Sequence, residues 1–217
     1  MLYRFTGSPD GALPYAGLIG DSEGNLYGST AEGGTGTSCS SGCGIVFKLD
    51  KTGVETVLHS FTGVDGAFPN GSLTLDSAGN LYGTTQVGGI TTGMCGANSY
   101  PPGCGVVFKM DAAGAETVLH SFTGRADGAY PATGLFRNSA GNLYGTAPNG
   151  GTFTGSGTIC VNGCGVVYKL NSAGKETVLH SFTGEADGAN PIAGLIPDSA
   201  GNLYGTAFSG VVFKLKP

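Results

Sequence analysis

This chain of 217 residues predicts an all-β fold, and three observations carry the prediction. Its apolar residues fall in short alternating runs bounded by Gly, Asp and Asn, the pattern of half-buried strands joined by tight turns. "ETVLHSFTG" recurs at 55–63, 116–124 and 176–184, and "LYRFTG" at 2–7 is a shortened copy. "NLYG" recurs at 25–28, 80–83, 142–145 and 202–205, spaced by 55, 62 and 60 residues. A period that long, with strand-like content, indicates propeller blades rather than a short-repeat solenoid.

Each unit supplies four strands in the same order. The first is "GLIGD" at 17–21, matched at 72–76, 134–138 and 194–198. A turn of the type "DSAGN" follows, in which Asp accepts turn N–H bonds and Gly takes positive φ. The second strand is "NLYGST" at 25–30 and its three counterparts, and a variable Gly-rich loop comes after it. The third is "GIVFKL" at 44–49, matched by "GVVFKM", "GVVYKL" and "GVVFKL". A second Asp/Asn–Gly turn leads into the fourth strand, "ETVLHSF". Linkers of the form "TG…DGA.P" at 6–17, 62–72, 123–134 and 183–194 are long enough to run from the outer strand of one blade to the inner strand of the next.

The expected architecture is therefore one domain over 1–217, a β-propeller of four four-stranded blades. Its repeats cover 7–61, 62–122, 123–182, and 183–217 together with 1–6. The sequence opens on a fourth strand and closes on a third, so the two fragments complete one blade. Residues 2–6 are expected to pair antiparallel with 210–215, which removes both sheet edges. The alternative is the same exchange between two chains, giving an eight-bladed dimer. The small first-strand residues Gly17, Ser72, Gly134 and Gly194 suit the close approach that four inner strands require.

The repeat "VLHSFTG…DGA.P..GL..DSAGNLYGTT..GG" resembles the GloVer (Gloeo–Verruco) tandem repeat, a family found in exported, surface-anchored bacterial proteins. The resemblance covers essentially the whole chain in four copies. It implies export and a surface setting, and it implies no particular activity.

Composition narrows the function. Forty-two glycines alone would suggest low complexity, but 40% of residues are hydrophobic and their periodicity specifies strands. Ten scattered basic residues in a chain of net charge −5 leave no electrostatic footprint for nucleic acid. No apolar run approaches membrane-spanning length. "MLYRFTG" lacks the apolar stretch of a signal peptide, so the first Met reads as an expression start on an excised mature domain.

Six cysteines form three local pairs, Cys39 with Cys43, Cys95 with Cys104, and Cys160 with Cys164, each just before a third strand. The fourth unit lacks both members of the pair and nearly the whole loop. Joint presence and joint absence point to disulfides, and these to an oxidising, extracellular or cell-surface compartment. Zinc, the rival reading, needs four ligands where each pair offers two.

Candidate chemistry is sparse. His59, His120 and His180 share one repeat position, with Tyr3 in the fragment, and read as a repeated structural hydrogen bond under the linker. Tyr27, Tyr82, Tyr144 and Tyr204 read as packing residues, and Lys48, Lys109, Lys169 and Lys214 as side chains reaching to an edge. Asp10, Asp65, Asp127 and Asp187 occupy "DGA" in all four linkers. Turn chemistry explains them; the sharper reading is a ring of carboxylates around the axis, able to hold a hard cation such as calcium. No Ser–His–Asp order, P-loop or dinucleotide fingerprint appears, and Trp, the commonest sugar-stacking platform, is absent. Variable loops on a rigid scaffold are where recognition residues concentrate. The leading expectation is an extracellular binding or interaction propeller, its partner a polysaccharide, cell-surface glycan or surface protein. The ligand basin would have Asp10, Asp65, Asp127, Asp187, Phe68, Tyr130 and Arg125 on its floor and walls. The alternatives are a secreted hydrolase or lyase using the same face, and a purely structural surface repeat.

Overall fold

A computed structural model describes residues 1–91, 95, 101–152 and 160–217; the distal parts of the second and third cysteine loops lie outside it. Among the described residues there are fifteen strands and no helix. The first sheet contains β1 (Ile19–Gly20), β2 (Leu26–Thr30), β3 (Ile45–Leu49) and β4 (Glu55–Ser60). The second contains β5 (Thr74–Leu75), β6 (Leu81–Thr85), β7 (Val106–Met110) and β8 (Glu116–Ser121). The third contains β9 (Phe136–Arg137), β10 (Leu143–Ala147), β11 (Val166–Leu170) and β12 (Glu176–Ser181). β13 (Ile196–Pro197), β14 (Leu203–Ala207) and β15 (Val211–Leu215) form the fourth. Each sheet is an antiparallel meander in chain order, the arrangement of a propeller blade. The inner strands are only two residues long, shorter than the sequence pattern suggests.

Register follows from side-chain fit. Leu26 pairs with Leu49 and Thr30 with Ile45, and the same pairings recur in every blade. The glycine of "NLYG" is fixed by packing. A Cβ on Gly28 would stand 2.7 Å from both the Phe47 ring and Leu18, and Gly83 is closed in the same way by Phe108 and Leu73. Between blades, the phenylalanine that ends each outer segment lies edge-on to the aromatic residue of the next third strand. These pairs are Phe61–Phe108, Phe122–Tyr168 and Phe182–Phe213, with centroids 5.1–5.2 Å apart. Hydroxyls stitch the inner layer: Ser29 donates to the Pro69 carbonyl, Thr84 to Thr133 and Thr146 to Ala193.

The expected closure is not present. β15 pairs only with β14, and residues 2–6 form no strand. Those residues instead lie over the first blade. Phe5 packs edge-on against Phe47 at 4.9 Å, as Phe61 packs on Phe108. Side chains buried elsewhere are consequently open at the two ends of the array. Leu18 is 50% exposed where its counterpart Leu73 is 4%, and Val212 on β15 is 76% exposed where Val107 is fully buried.

Candidate functional site

Strand pairing sorts the connections onto two ends of the blades. Thr30 faces Ile45, and Ile45 faces Ser60. The cysteine loop after β2 and the linker after β4 therefore leave from the same end, and β6, β8, β10 and β12 repeat this. All three disulfides form as the spacing suggested, Cys39–Cys43, Cys95–Cys104 and Cys160–Cys164. Each staple bears directly on a linker. The Phe68 N–H donates to the Cys43 carbonyl, Tyr130 to Cys104 and Asn190 to Cys164, at 2.8–2.9 Å. From the other side the linker bridges to the loop of the next blade, Ala67 with Val87 and Ala129 with Asn149. The linkers at 62–72, 123–134 and 183–194 are thus each held between a stapled loop behind them and the following blade, whereas the linker at 6–17 meets only the blade that follows it.

All four linkers share an unusual backbone. Leu13, Phe68, Tyr130 and Asn190, each preceding a proline, have φ of 57°, 58°, 60° and 54°. Left-handed backbone is costly for a side-chain-bearing residue. It persists here at all four equivalent positions, while the side chains differ. Leu13 is 42% exposed. Phe68 and Tyr130 are half-buried against the hydrophobic core, so only part of each ring faces outward. Asn190 is half-buried and donates from Nδ2 to the Pro148 carbonyl.

The "DGA" aspartates each close their own linker turn. Asp65 Oδ1 accepts from the Thr62 N–H and hydroxyl, and Oδ2 is 2.9 Å from His59 Nε2. Asp187 has the same partners in Thr183 and His180. Asp127 takes Thr123, with His120 Nε2 at 3.6 Å, beyond hydrogen-bond length. Asp10 takes Thr6, and Tyr3 replaces the histidine, donating from its hydroxyl at 2.8 Å. Burial pushes Asp65 upward, but the bonds from His59 and Thr62 outweigh it and hold the carboxyl below its usual range. The four aspartates are not gathered into one set of ligands. Among the described residues, the group of three metal-ligating side chains within 4.8 Å of one another is His59, Asp65 and Glu116. Glu116 begins β8 and reaches across the blade boundary; burial pushes its pKa up to about 7, against a smaller pull from His59. Sequence reasoning did not single it out, although "ETVLHSF" repeats it in every complete unit. Arg125 is exposed on its turn, and its N–H donates to Asp127.

At the opposite end, the "DSAGN" turns line clefts between blades. One of about 650 Å³ lies between the first and second blades, lined by Asp21, Ser22, Glu23, Tyr27, Asp76 and Ser77 among others. The tyrosines there do more than pack. Tyr27, Tyr82 and Tyr204 donate to Asp21, Asp76 and Asp198. Lys48, Lys169 and Lys214 sit 5.5–5.8 Å over the rings of Tyr27, Tyr144 and Tyr204. Over Tyr82 the cation is Arg137, which also lies 3.7 Å from Asp76.

A family model described as the Gloeobacter/Verrucomicrobia repeat matches residues 1–215. The chain belongs to that repeat family. No curated protein matches it. Three solved structures are similar at low identity. A protein from Thermus thermophilus, provisionally named an oxidoreductase (glucose dehydrogenase), aligns with TM-score 0.53 and 13% identity over 97% of this chain and 63% of that one. A luciferin-regenerating enzyme gives 0.50 and 17%, over 93% and 60%. A provisionally named gluconolactonase gives 0.48 and 18%, over 92% and 59%. The Gloeobacter/Verrucomicrobia repeat chain thus spans about six-tenths of these propeller-like relatives. At such identities the likeness shows the fold alone.

Proposed function

We propose that this repeat array is an extracellular binding module. It would take a polysaccharide or cell-surface glycan at the end that carries the cysteine loops and linkers. One observation carries the reading: four equivalent left-handed positions display Leu13, Phe68, Tyr130 and Asn190, the last three held by an N–H bond to a cysteine carbonyl of the stapled loop behind them. Constant backbone with varied side chains suits recognition, whereas a purely structural position would favour glycine. Phe68 and Tyr130, half-buried against the core, would offer the outward part of each ring for contact with sugar. Asp10, Asp65, Asp127 and Asp187 fix the turns behind them, and Arg125 adds a cation for an anionic group. Three disulfides and membership of a repeat family resembling exported proteins support an extracellular setting. Ring completion belongs to the same proposal: residues 2–6 carry outer-strand side chains, and the edge of β15 stands ready for a strand. The test is a glycan array on the purified protein, followed by calorimetry with Phe68→Ala and Tyr130→Ala. Retained glycan affinity in folded variants, or silence across the array, would remove the reading. Turnover of chromogenic polysaccharides would replace it with the hydrolase or lyase alternative.

A further inference from the structure

The boundary between the first two blades brings together an imidazole and two carboxylates from three separate segments. His59 is on β4, Asp65 in the following linker, and Glu116 at the start of β8. Their ligand atoms lie within 4.8 Å of one another. We propose that His59, Asp65 and Glu116 form a site for a divalent transition metal of the zinc class, which joins the outer strands of adjacent blades.

Four features argue for a built site rather than a chance encounter of side chains. The Asp65 carboxylate is oriented from behind, because Thr62 occupies Oδ1 with two hydrogen bonds and leaves Oδ2 facing His59. Such outer partners are what aim a ligating carboxylate. The His59 ring is braced edge-on by Phe61 at 4.8 Å and 81°. Glu116 is placed by its ladder pairing with Met110, and its Oε1 is buried without a hydrogen-bond partner, as is Oε1 of the repeat equivalents Glu55 and Glu176, so what sets this site apart is the approach of His59 and Asp65 to it. A buried carboxylate oxygen with no partner is costly, and a cation would satisfy it. Finally, His59 and Asp65 side chains remain 20% and 21% exposed, which leaves an opening for entry and for a water as fourth ligand. One nitrogen and two carboxylate oxygens with an open position suit zinc, cobalt or manganese; an imidazole ligand disfavours calcium and magnesium.

The repeat supplies its own comparators. At the next boundary His120, Asp127 and Glu176 recur, but His120 stands 3.6 Å from Asp127 and the three fall outside the tight grouping. Where the N-terminal segment meets the first blade, Tyr3 replaces the imidazole beside Asp10 and Glu55. His180 and Asp187 are paired with no glutamate assigned to them among the described residues. The geometry therefore ranks the His59 site above the other three.

Binding would replace the His59–Asp65 hydrogen bond: a neutral ring moves its proton from Nε2 to Nδ1, and an imidazolium releases its Nε2 proton to solvent, so that in either case the Nε2 lone pair is free to ligate. The experiment is zinc titration of chelator-treated protein by calorimetry, with cobalt as the spectroscopic probe. One tight equivalent is expected, with the visible bands of low-coordinate cobalt. Glu116→Gln should weaken zinc binding by at least about tenfold, whereas Glu176→Gln should leave the tight equivalent in place. Equal binding by wild type and Glu116→Gln would overturn the site. Imidazole nitrogen NMR on the unmodified protein keeps the test decisive if a variant fails to fold. Zinc should shift His59 Nε2 at substoichiometric metal before His180. Simultaneous shifts of all three histidines would mean surface adsorption and would overturn it.

Discussion

At the residue scale, the chain spends its few charges on turns. Asp21 is held down to about 2 first by the Asn25 side chain, with the Asn25 and Glu23 N–H groups and the Tyr27 hydroxyl adding to it; Asp198 is held at about 2 by the equivalent set. A carboxylate depressed in the folded state stabilises the fold above its unfolded pKa, and that stability disappears as pH falls through the folded value. Thermal melts should therefore decline from about pH 4 toward pH 2, and Asp21→Asn should flatten that part of the curve. The partner tyrosine has the opposite sign. Burial first, then the bond to Asp21, raises Tyr27 to about 12, so its contribution is complete below the ordinary phenol range and is lost only as pH climbs toward 12. Ultraviolet phenolate titration should find Tyr27 ionising only near pH 12, and Asp21→Asn should bring it to lower pH. In the second blade, Asp76→Ala would leave the Tyr82 hydroxyl and Asn80 amide short of their acceptor and should cost about 1–3 kcal/mol by denaturant unfolding.

At the element scale, the central device is the clamped linker. If left-handed backbone is strained at Leu13, removing its side chain should help. Leu13→Gly is expected to raise stability by roughly 0.5–1 kcal/mol, since Leu13 is exposed and packs little. Removing a staple should do the reverse. The Cys39→Ala/Cys43→Ala protein should lose about 2 kcal/mol on chain-entropy grounds. Amide exchange at Phe68 should also quicken, because its acceptor is the Cys43 carbonyl. These elements were unequally legible in the sequence. Strands two to four, the disulfides and the role of the first-turn aspartates follow from alternation and turn chemistry, which are local. A structural hydrogen bond from the histidines under the linker was legible as a shared repeat position, but its aspartate partner was not, because that pairing needs the folded linker turn. The left-handed residues were not, because a bulky residue before proline ordinarily prefers extended backbone. Glu116 and the cations over Tyr27 and Tyr82 were missed for a related reason. Their roles depend on which side chain lies across a blade or blade boundary, and periodicity within one strand does not report that.

At the scale of the whole molecule, the ring completion proposed above turns on residues 2–6 and the open edge of β15. Residues 2–6 present Tyr3 and Phe5 where inner copies present His59 and Phe61, and these side chains already make the corresponding contacts on the first blade. The missing contribution is backbone, the ladder that an outer strand makes with a third strand. β15 offers that ladder, with Val212 and Lys214 exposed along it. A hydrogen-bonding edge of this kind recruits a strand. If the strand comes from residues 2–6 of the same molecule, light scattering should give the mass of one chain, 21.6 kDa, at all concentrations. If it comes from a second copy, the mass should double and fall back on dilution. Removing residues 1–6 discriminates further. It strips Phe5 from Phe47 and leaves β15 unmatched in either case, so the melting temperature should drop and aggregation should rise. A truncated protein that melts like the intact one and stays dispersed would mean that β15 needs no strand, and ring completion through residues 2–6 would be wrong.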